Sequence, residues 1–223
     1  MEIIRYAELK AHPWRNGGGV TREVARHPRT TSMQTALQTG PRDTGQDNAW
    51  DWRVSIAEVS KAGPFSAYAG MDRVLTVIDG DLLLLSVDGA EHPLEKYRPF
   101  RFSGDADSAG ALPTGDIRDL NVITRNGAFK GYTSIIELSK KRAHPVFAGQ
   151  LGILLQGQGT ASPGTAGSLP TGPAAVAAPE PEPERVELNR YDAVVGADTA
   201  TPEILGRGFL AVISIDPAEP GTV

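Results

Sequence analysis

The chain contains no cysteine, and its only histidines are His12, His27, His92 and His144. The absence of cysteine excludes a disulfide framework, a thiol nucleophile and a thiolate metal site. Each histidine directly precedes a proline, so each is expected in extended or turn backbone. A histidine metal centre would need four separate loops to converge, and we therefore expect no metal and no other cofactor.

An excess of basic residues and a long apolar run are also missing. Lysine and arginine number 22 against 27 acidic residues, which gives a net charge of −5. Binding to nucleic acid or to anionic lipid depends on a basic surface. No segment approaches the roughly 20 apolar residues that span a bilayer, and the N-terminus carries no signal-peptide core. We expect a cytoplasmic protein that binds neither nucleic acid nor membrane.

Glycine and proline are abundant, with 25 and 17 residues respectively. This composition favours turns and short strands over long helices. Residues 52–59 and 119–124 alternate between apolar and polar side chains, as half-buried strands do. Residues 74–78 and 81–87, joined by Asp79-Gly80, are typical of a hairpin, and Asp88-Gly89 supplies a further turn. No window of a dozen residues shows a helical apolar stripe, so the sequence predicts an all-β sandwich or barrel.

Two segments differ from the rest in composition. Residues 28–48 are polar and predict a long loop. Residues 157–184 contain six prolines among glycine, alanine, serine and threonine, and prolines remove backbone donors and fix φ. We predict that 157–184 forms neither sheet nor stable helix and is a flexible surface insertion. The alternative is a ligand for a proline-recognising protein partner.

The pattern with the most local information is WRNGGGVTRE at residues 14–23. Three consecutive glycines allow unusual dihedrals, and their amides could bind an anion as a nest. The alternative is a loop that crosses another strand where no side chain fits.

Three further patterns place polar groups on predicted strands. Arg53 and Ser55 share one strand face, Arg73 precedes an apolar strand, and Asp119 and Asn121 share another face. These side chains could line a polar cavity or simply lie on solvent-exposed faces, and composition alone favours solvent for an arginine.

Taken together, these segments resemble the HutD/Ves family. The matching segments occur in the same order between about residue 2 and residue 138, and they are residues 14–23, 52–57, 63–66 with 70–75, and 119–125. The C-terminal part resembles the family more loosely. Arg15 stands where the family usually has lysine, and 28–48 and 157–184 look like insertions.

The resemblance implies a bicupin without metal-ligand histidines, that is, two cupin-like β-barrels in one chain. Residues 1–223 would form a single bicupin unit, with about 1–138 as the first half and about 139–223 as the second. It also implies an association with histidine catabolism through binding of a small acid such as formylglutamate or urocanate. Within a barrel, ligand-binding candidates are Arg53, Ser55, Arg73, Asp119, Asn121, Asn16 and Thr21. Arg53 is the expected carboxylate clamp, with Asp119 as its counter-ion in the empty protein.

Three functions remain open at this stage. The favoured one is a regulatory, non-catalytic protein that binds a small carboxylate, and a homodimer is compatible with it. The second is a metal-independent isomerase or hydrolase with Asp119 or Glu58 as base. The third is a protein-interaction module that acts through 157–184. In a second structural interpretation, the polar candidates bind no ligand and hold the two barrels together through buried hydrogen bonds.

Overall fold

A computed structural model describes residues 1–29, 50–164 and 184–218. They form seventeen strands and one short 3-10 helix, Tyr6–Glu8. The first strands are β1 (Glu2–Ile4), β2 (Ala11–Pro13), β3 (Gly19–Pro28), β4 (Trp50–Val59), β5 (Gly63–Pro64), β6 (Met71–Asp79), β7 (Leu82–Val87), β8 (Ala90–Glu95) and β9 (Phe100–Ser103). The others are β10 (Ser108–Ala111), β11 (Ile117–Arg125), β12 (Phe129–Leu138), β13 (His144–Pro145), β14 (Gln150–Pro163), β15 (Val186–Leu188), β16 (Ala193–Val195) and β17 (Pro202–Pro217). The predicted all-β class is confirmed.

The chain divides into two compact units. The first combines Met1–Glu8 with Ser134–Ser214, and the second contains Leu9–Thr133 together with the residues from Ile215 onward. A seven-stranded sheet has the order β1-β16-β14-β17-β12, with β13 on β17 and β15 on β14. The core of the first unit is apolar and includes Ile153, Leu154 and Ile204, which are fully buried.

The second unit is a sandwich of two sheets. One has the order β2-β3-β4-β11-β6-β9 and the other β5-β10-β7-β8. One apolar cluster takes Leu75 and Val77 from the first sheet and Leu83 and Leu85 from the second, so the two sheets pack face to face.

The three central strands of the six-stranded sheet are buried on both faces. Val54 and Ile56 are completely buried, and so is Leu120 on the neighbouring strand, while Ser55 on the other face of β4 is only 2% exposed. The alternation in the sequence is therefore real, but its polar face does not meet bulk solvent.

The predicted hairpin across Asp79-Gly80 is wrong. β6 belongs to the six-stranded sheet and β7 to the four-stranded one, so the chain changes sheets at Gly80. A two-residue hairpin forms instead at Asp88-Gly89, where both residues have positive φ, 48° and 80°. This turn joins β7 to β8, with Val87 opposite Ala90.

The two unusual segments lie mostly outside the described residues. Of 28–48, only residues 28 and 29 are described, and Pro28 still belongs to β3. Of 157–184, residues 165–183 are outside the described part. The prediction that 157–184 forms no sheet is wrong at its start: residues 157–163 continue β14 and pair with β17. Gly157 to Ser162 contains no proline, so its backbone donors are available to the ladder.

No helix within the described parts of the chain combines the length and the apolar character that crossing a bilayer requires.

Candidate ligand-binding site

The second unit contains a cavity of about 530 Å³. The structure brings all seven candidate residues into its lining, which are Asn16, Thr21, Arg53, Ser55, Arg73, Asp119 and Asn121. Three aromatic side chains that the candidate set did not include, Trp14, Phe65 and Tyr68, form part of the wall. That these residues bind a ligand stays a prediction.

Strand register explains why residues distant in sequence meet here. Ile123 of β11 lies opposite Arg53 on β4 and opposite Arg73 on β6. Two positions away on β11, Asn121 lies opposite Ser55. Directly opposed residues point to the same side of an antiparallel sheet. The two arginines therefore share one face and one level of the sheet.

Arg53 has few partners for a largely buried cation. Its side chain is 20% exposed, and its Nε lies 3.5 Å from Glu23 Oε2. This Nε is buried and makes no hydrogen bond within the described residues. The expectation that Asp119 serves as the counter-ion of Arg53 is wrong, because Glu23 occupies that role. Glu23 follows Thr21 on the same face of β3, and this spacing is a signal that sequence reasoning could have used.

Arg73 is enclosed much more tightly. It is 5% exposed. Its Nη2 donates to Asn121 Oδ1 at 2.9 Å and its Nη1 to the Ser66 carbonyl at 3.2 Å. The guanidinium carbon also lies 4.9 Å from the centroid of the Phe102 ring and 5.3 Å from that of Tyr68. Burial lowers the pKa of Arg73 from its ordinary value. Both terminal nitrogens of Arg73 are therefore committed to the protein, while its Nε, like that of Arg53, makes no hydrogen bond within the described residues.

Asp119 is the most buried acid of the cavity, with 1% exposure. Asn121 Nδ2 donates a hydrogen bond to Asp119 Oδ1, so one amide links Asp119 to Arg73. Burial raises the pKa of Asp119 to about 7, although the charge of Arg73 and the hydrogen bond from Asn121 act in the opposite direction. Near neutral pH this carboxyl is therefore protonated in one part of the molecules and ionised in the rest.

The glycine turn does not act as an anion nest. The Gly17 amide donates to the Trp14 carbonyl, and the Gly18 amide donates to Asn16 Oδ1 at 2.9 Å. A Cβ on Gly19 would lie 2.4 Å from the Glu58 carbonyl oxygen. At Gly19, where β3 begins to pair with β4, the backbone of β4 therefore leaves no room for a side chain.

The turn also positions two candidate residues. Asn16 accepts its hydrogen bond from the turn backbone, and Thr21 Oγ1 accepts one from Trp14 Nε1 at 2.7 Å. These contacts fix the indole of Trp14 at the cavity wall.

Glu58, the alternative catalytic base, does not line this cavity. It stands on the opposite face of β4 from Arg53, pairs with Arg22, and lies 3.5 Å from Arg118. Within residues 1–29, 50–164 and 184–218, no group of three or more histidine, aspartate or glutamate side chains is arranged to hold a metal ion.

Two curated relatives share about a third of their aligned residues with this chain. An uncharacterized 21.2 kDa protein in the hutC 3' region of Pseudomonas putida is 35% identical over 125 residues, 55% of this chain and 57% of the relative. Protein Ves of Citrobacter koseri is 32% identical over 139 residues, 61% of this chain and 64% of that protein. The chain thus spans less than two thirds of the length of either relative.

Solved structures extend the likeness over the whole chain. HutD from Pseudomonas fluorescens SBW25, in a formate condition, has a TM-score of 0.67 at 25% identity and covers 98% of this chain and 99% of its own. A cupin 2 conserved barrel protein from Leptotrichia buccalis has a TM-score of 0.55 at 8% identity, with 96% of both chains covered. The second likeness shows the fold alone and confirms the predicted cupin architecture. The division into two cupin halves stays a prediction.

The family model described as HutD matches residues 6–211. This range includes every candidate residue of the cavity and most of both compact units. The resemblance inferred from the four sequence segments is confirmed, and the chain belongs to the HutD family.

Proposed function

We propose that the protein binds a small carboxylate in this cavity and regulates, rather than catalyses, a step of histidine catabolism. The observation that carries the proposal is Arg53, a largely buried guanidinium on the cavity wall whose Nε has no hydrogen bond within the described residues. A guanidinium in such a place is stabilised by a bidentate carboxylate, and charge-assisted bonds of this kind are roughly twice as strong as neutral ones.

The charges around the cavity favour an anion. Arg53 and Arg73 bring two positive charges, and Glu23 is 34% exposed, so its negative charge is partly screened by solvent. Asp119 is ionised in only part of the molecules at neutral pH because burial raises its pKa to about 7. Desolvated positive charge without a full set of counter-ions attracts a negatively charged ligand.

The rest of the cavity suits a ligand of metabolite size. Its volume of about 530 Å³ lies within the range of roughly 300–1,000 Å³ that is typical of small-molecule sites. Trp14 and Phe65 meet edge to face with centroids 6.0 Å apart. They offer apolar surface to the body of an acid whose carboxylate contacts Arg53. Formylglutamate and urocanate both have this form, an acid with a short polar or planar body.

The link to histidine catabolism rests on the relatives. One is encoded in the hutC 3' region of P. putida and another is HutD of P. fluorescens. Their names support a role in histidine catabolism. A protein that binds a metabolite without converting it could act there as a sensor of a pathway intermediate.

A second candidate function is a metal-independent enzyme. The observation in its favour is Asp119, because an acid whose pKa is raised to about 7 has the value that a general base needs at neutral pH. Turnover of a pathway acid that disappears in Asp119→Asn would favour the enzyme over the regulator.

Calorimetric titration tests the proposed function. Formylglutamate and urocanate are titrated into wild type, Arg53→Ala and Arg53→Lys. Removal of the Arg53 guanidinium in Arg53→Ala should weaken binding by about 2 kcal/mol or more, roughly 30-fold. Arg53→Lys should recover only part of the affinity, because an ammonium cannot make the two parallel hydrogen bonds of a guanidinium. Arg98, which is exposed and outside the cavity lining, provides the matched control Arg98→Ala, which should bind as wild type does. Equal affinities in all four proteins would remove Arg53 from the site.

A further inference from the structure

Asp119 lies at the depth where the polar part of the cavity meets the apolar core. On β11 it is opposite Ala57 of β4 and Val77 of β6. Both neighbours belong to the buried apolar cluster between the two sheets. The carboxyl is therefore surrounded by low-dielectric material on its strand neighbours, while it still lines the cavity.

The two oxygens of Asp119 are in different situations. Oδ1 accepts a hydrogen bond from Asn121, whose own oxygen is held by Arg73. The hydrogen bond from Asn121 does not involve Oδ2. A proton on Asp119 would therefore be placed on Oδ2 without breaking the link to Asn121, and the resulting O–H would be a donor for a group in the cavity.

The other charged and titratable side chains that line the cavity are Arg53 on β4, Arg73 on β6, Tyr68 in the loop before β6, His12 on β2 and Arg15 in the turn that follows it. Glu23 on β3 lies against Arg53, and the charge of Arg73 acts on Asp119 itself. Entry of a carboxylate ligand adds a further negative charge to this group. Two carboxylates that share a poorly solvated site do not both stay ionised readily.

We infer that Asp119 makes ligand binding proton-linked: a carboxylate enters the cavity together with one proton, which Asp119 holds on Oδ2 and offers as a hydrogen-bond donor. The inference rests on the proposed function, since it concerns the ligand of the same cavity. In the overall step, protein with ionised Asp119, ligand anion and one proton from solvent give a complex in which Asp119 is neutral. The site would therefore bind the anion more tightly when Asp119 takes up a proton than when it stays ionised.

The direction of the pH dependence follows from the empty site. Burial raises the pKa of Asp119 to about 7, and a bound anion raises it further. At pH values below about 7 the acid is already protonated before the ligand enters, so affinity is highest and nearly constant there. Above that range a proton must be taken up on binding, and affinity falls by up to about tenfold for each pH unit.

The test is calorimetric titration of formylglutamate between about pH 6 and pH 8.5. The carboxylates of this probe have ordinary pKa values near 4 and stay ionised throughout. Each titration is made in two buffers with different ionisation enthalpies, so the proton uptake is measured directly on the wild-type protein. We expect uptake approaching one proton at pH 8, and a dissociation constant at least about tenfold larger at pH 8.5 than at pH 7.

Two variants separate Asp119 from the other titrating groups, His12 included. Asp119→Asn keeps an oxygen for Asn121 and replaces the proton by a fixed N–H, so it should bind with little pH dependence and take up no proton above pH 7. Asp107 is exposed and outside the cavity, and Asp107→Asn should keep the wild-type dependence.

The outcomes also separate this inference from the proposed function. Binding with the same affinity at every pH and without proton uptake would overturn the proton linkage and leave the carboxylate site standing. A wild-type pH dependence that persists in Asp119→Asn would do the same. Absence of formylglutamate binding at every pH, together with absence of urocanate binding, would overturn both proposals.

Discussion

Arg53 and Arg73 carry the same guanidinium at the same level of one sheet, but their surroundings differ. Arg73 is held by the Ser66 carbonyl, by Asn121 and by the rings of Phe65, Tyr68 and Phe102. In the part of the chain that the structure describes, the contacts of Arg53 are Glu23 at 3.5 Å and the ring of Trp50 at 5.9 Å. Arg73 therefore belongs to the framework of the cavity, and Arg53 is the cation that has capacity left for a ligand.

This difference predicts that lysine lowers the stability of the protein much more at position 73 than at position 53. Arg73→Lys should lower the free energy of unfolding by about 1–3 kcal/mol, since an ammonium cannot serve both acceptors in the same plane or stack on the rings. Arg53→Lys should change it by less than about 1 kcal/mol, because the long contact to a partly exposed Glu23 contributes little. Urea denaturation of both variants measures the difference. Equal stability of the two variants would show that Arg73 is not a framework residue.

Sequence reasoning placed seven residues in the cavity but could not rank them. Arg53 and Arg73 each appear as an arginine on a strand, and the strand pattern says nothing about what lies opposite. The Asn121 side chain links Asp119 to Arg73, and its contact with Arg73 is a tertiary contact between β11 and β6.

At the scale of elements, the glycine turn before β3 shows how local backbone determines the cavity wall. Gly19 pairs with Val59 at the start of β3, and a Cβ there would meet the Glu58 carbonyl oxygen at 2.4 Å and the Trp14 indole at 3.2 Å. Backbone cannot shift as cheaply as a side chain, so even one methyl group must displace β4 or the turn.

Gly19→Ala should therefore destabilise the protein by about 1–3 kcal/mol. Gly63 is the matched control, because a Cβ there meets nothing within 4 Å. Gly63→Ala should stay within about 0.5 kcal/mol of wild type. Thermal and urea unfolding of both variants test the prediction, and an unchanged stability of Gly19→Ala would mean that the turn opens readily.

The two Asp-Gly pairs illustrate the limit of local signals for elements. Asp88-Gly89 forms a two-residue hairpin turn, while Gly80 leads the chain from one sheet to the other. Both glycines have a positive φ close to 80°. The chain bends after both dipeptides, but only Asp88-Gly89 closes a hairpin within the described residues. After Gly80 the partner of the next strand is selected by burial of Leu83 and Leu85 against the opposite sheet.

For the whole molecule, the proline-rich segment offers a contrast between two deletions. Residues 157–163 belong to β14, with Ala161 fully buried and Thr160 paired to both Leu205 and Glu187. The five prolines between 165 and 183 follow this strand in the sequence. A deletion of 165–183 therefore removes no strand residue that the structure describes, whereas a deletion of 157–184 removes the end of β14.

Replacement of residues 165–183 by a short glycine-serine linker should leave the melting temperature within a few degrees of wild type, because the entropy of closing a loop depends weakly on its length. Replacement of 157–184 should abolish folding or lower the melting temperature by at least about 10 °C, because it removes part of a paired, buried strand. Thermal scans of the two proteins make the comparison. A large loss in the shorter deletion would show that 165–183 contributes to packing.

The sequence by itself determined the all-β class and the family, and it supplied seven candidates for the cavity. Turn glycines and period-two alternation are local properties, and the order of the segments at 14–23, 52–57 and 119–125 is visible without coordinates. These signals do not depend on how the strands pack.

Only the tertiary structure decided what the polar strand faces meet. Arg53 alternates with Trp52 and Val54 in the same way on a solvated sheet as on a cavity wall, and the second sheet of the sandwich makes it the latter. The counter-ion of Arg53, the enclosure of Arg73 and the raised pKa of Asp119 depend on through-space distances and on the exclusion of water. Such quantities arise when sheets pack together, and no spacing along one strand encodes them.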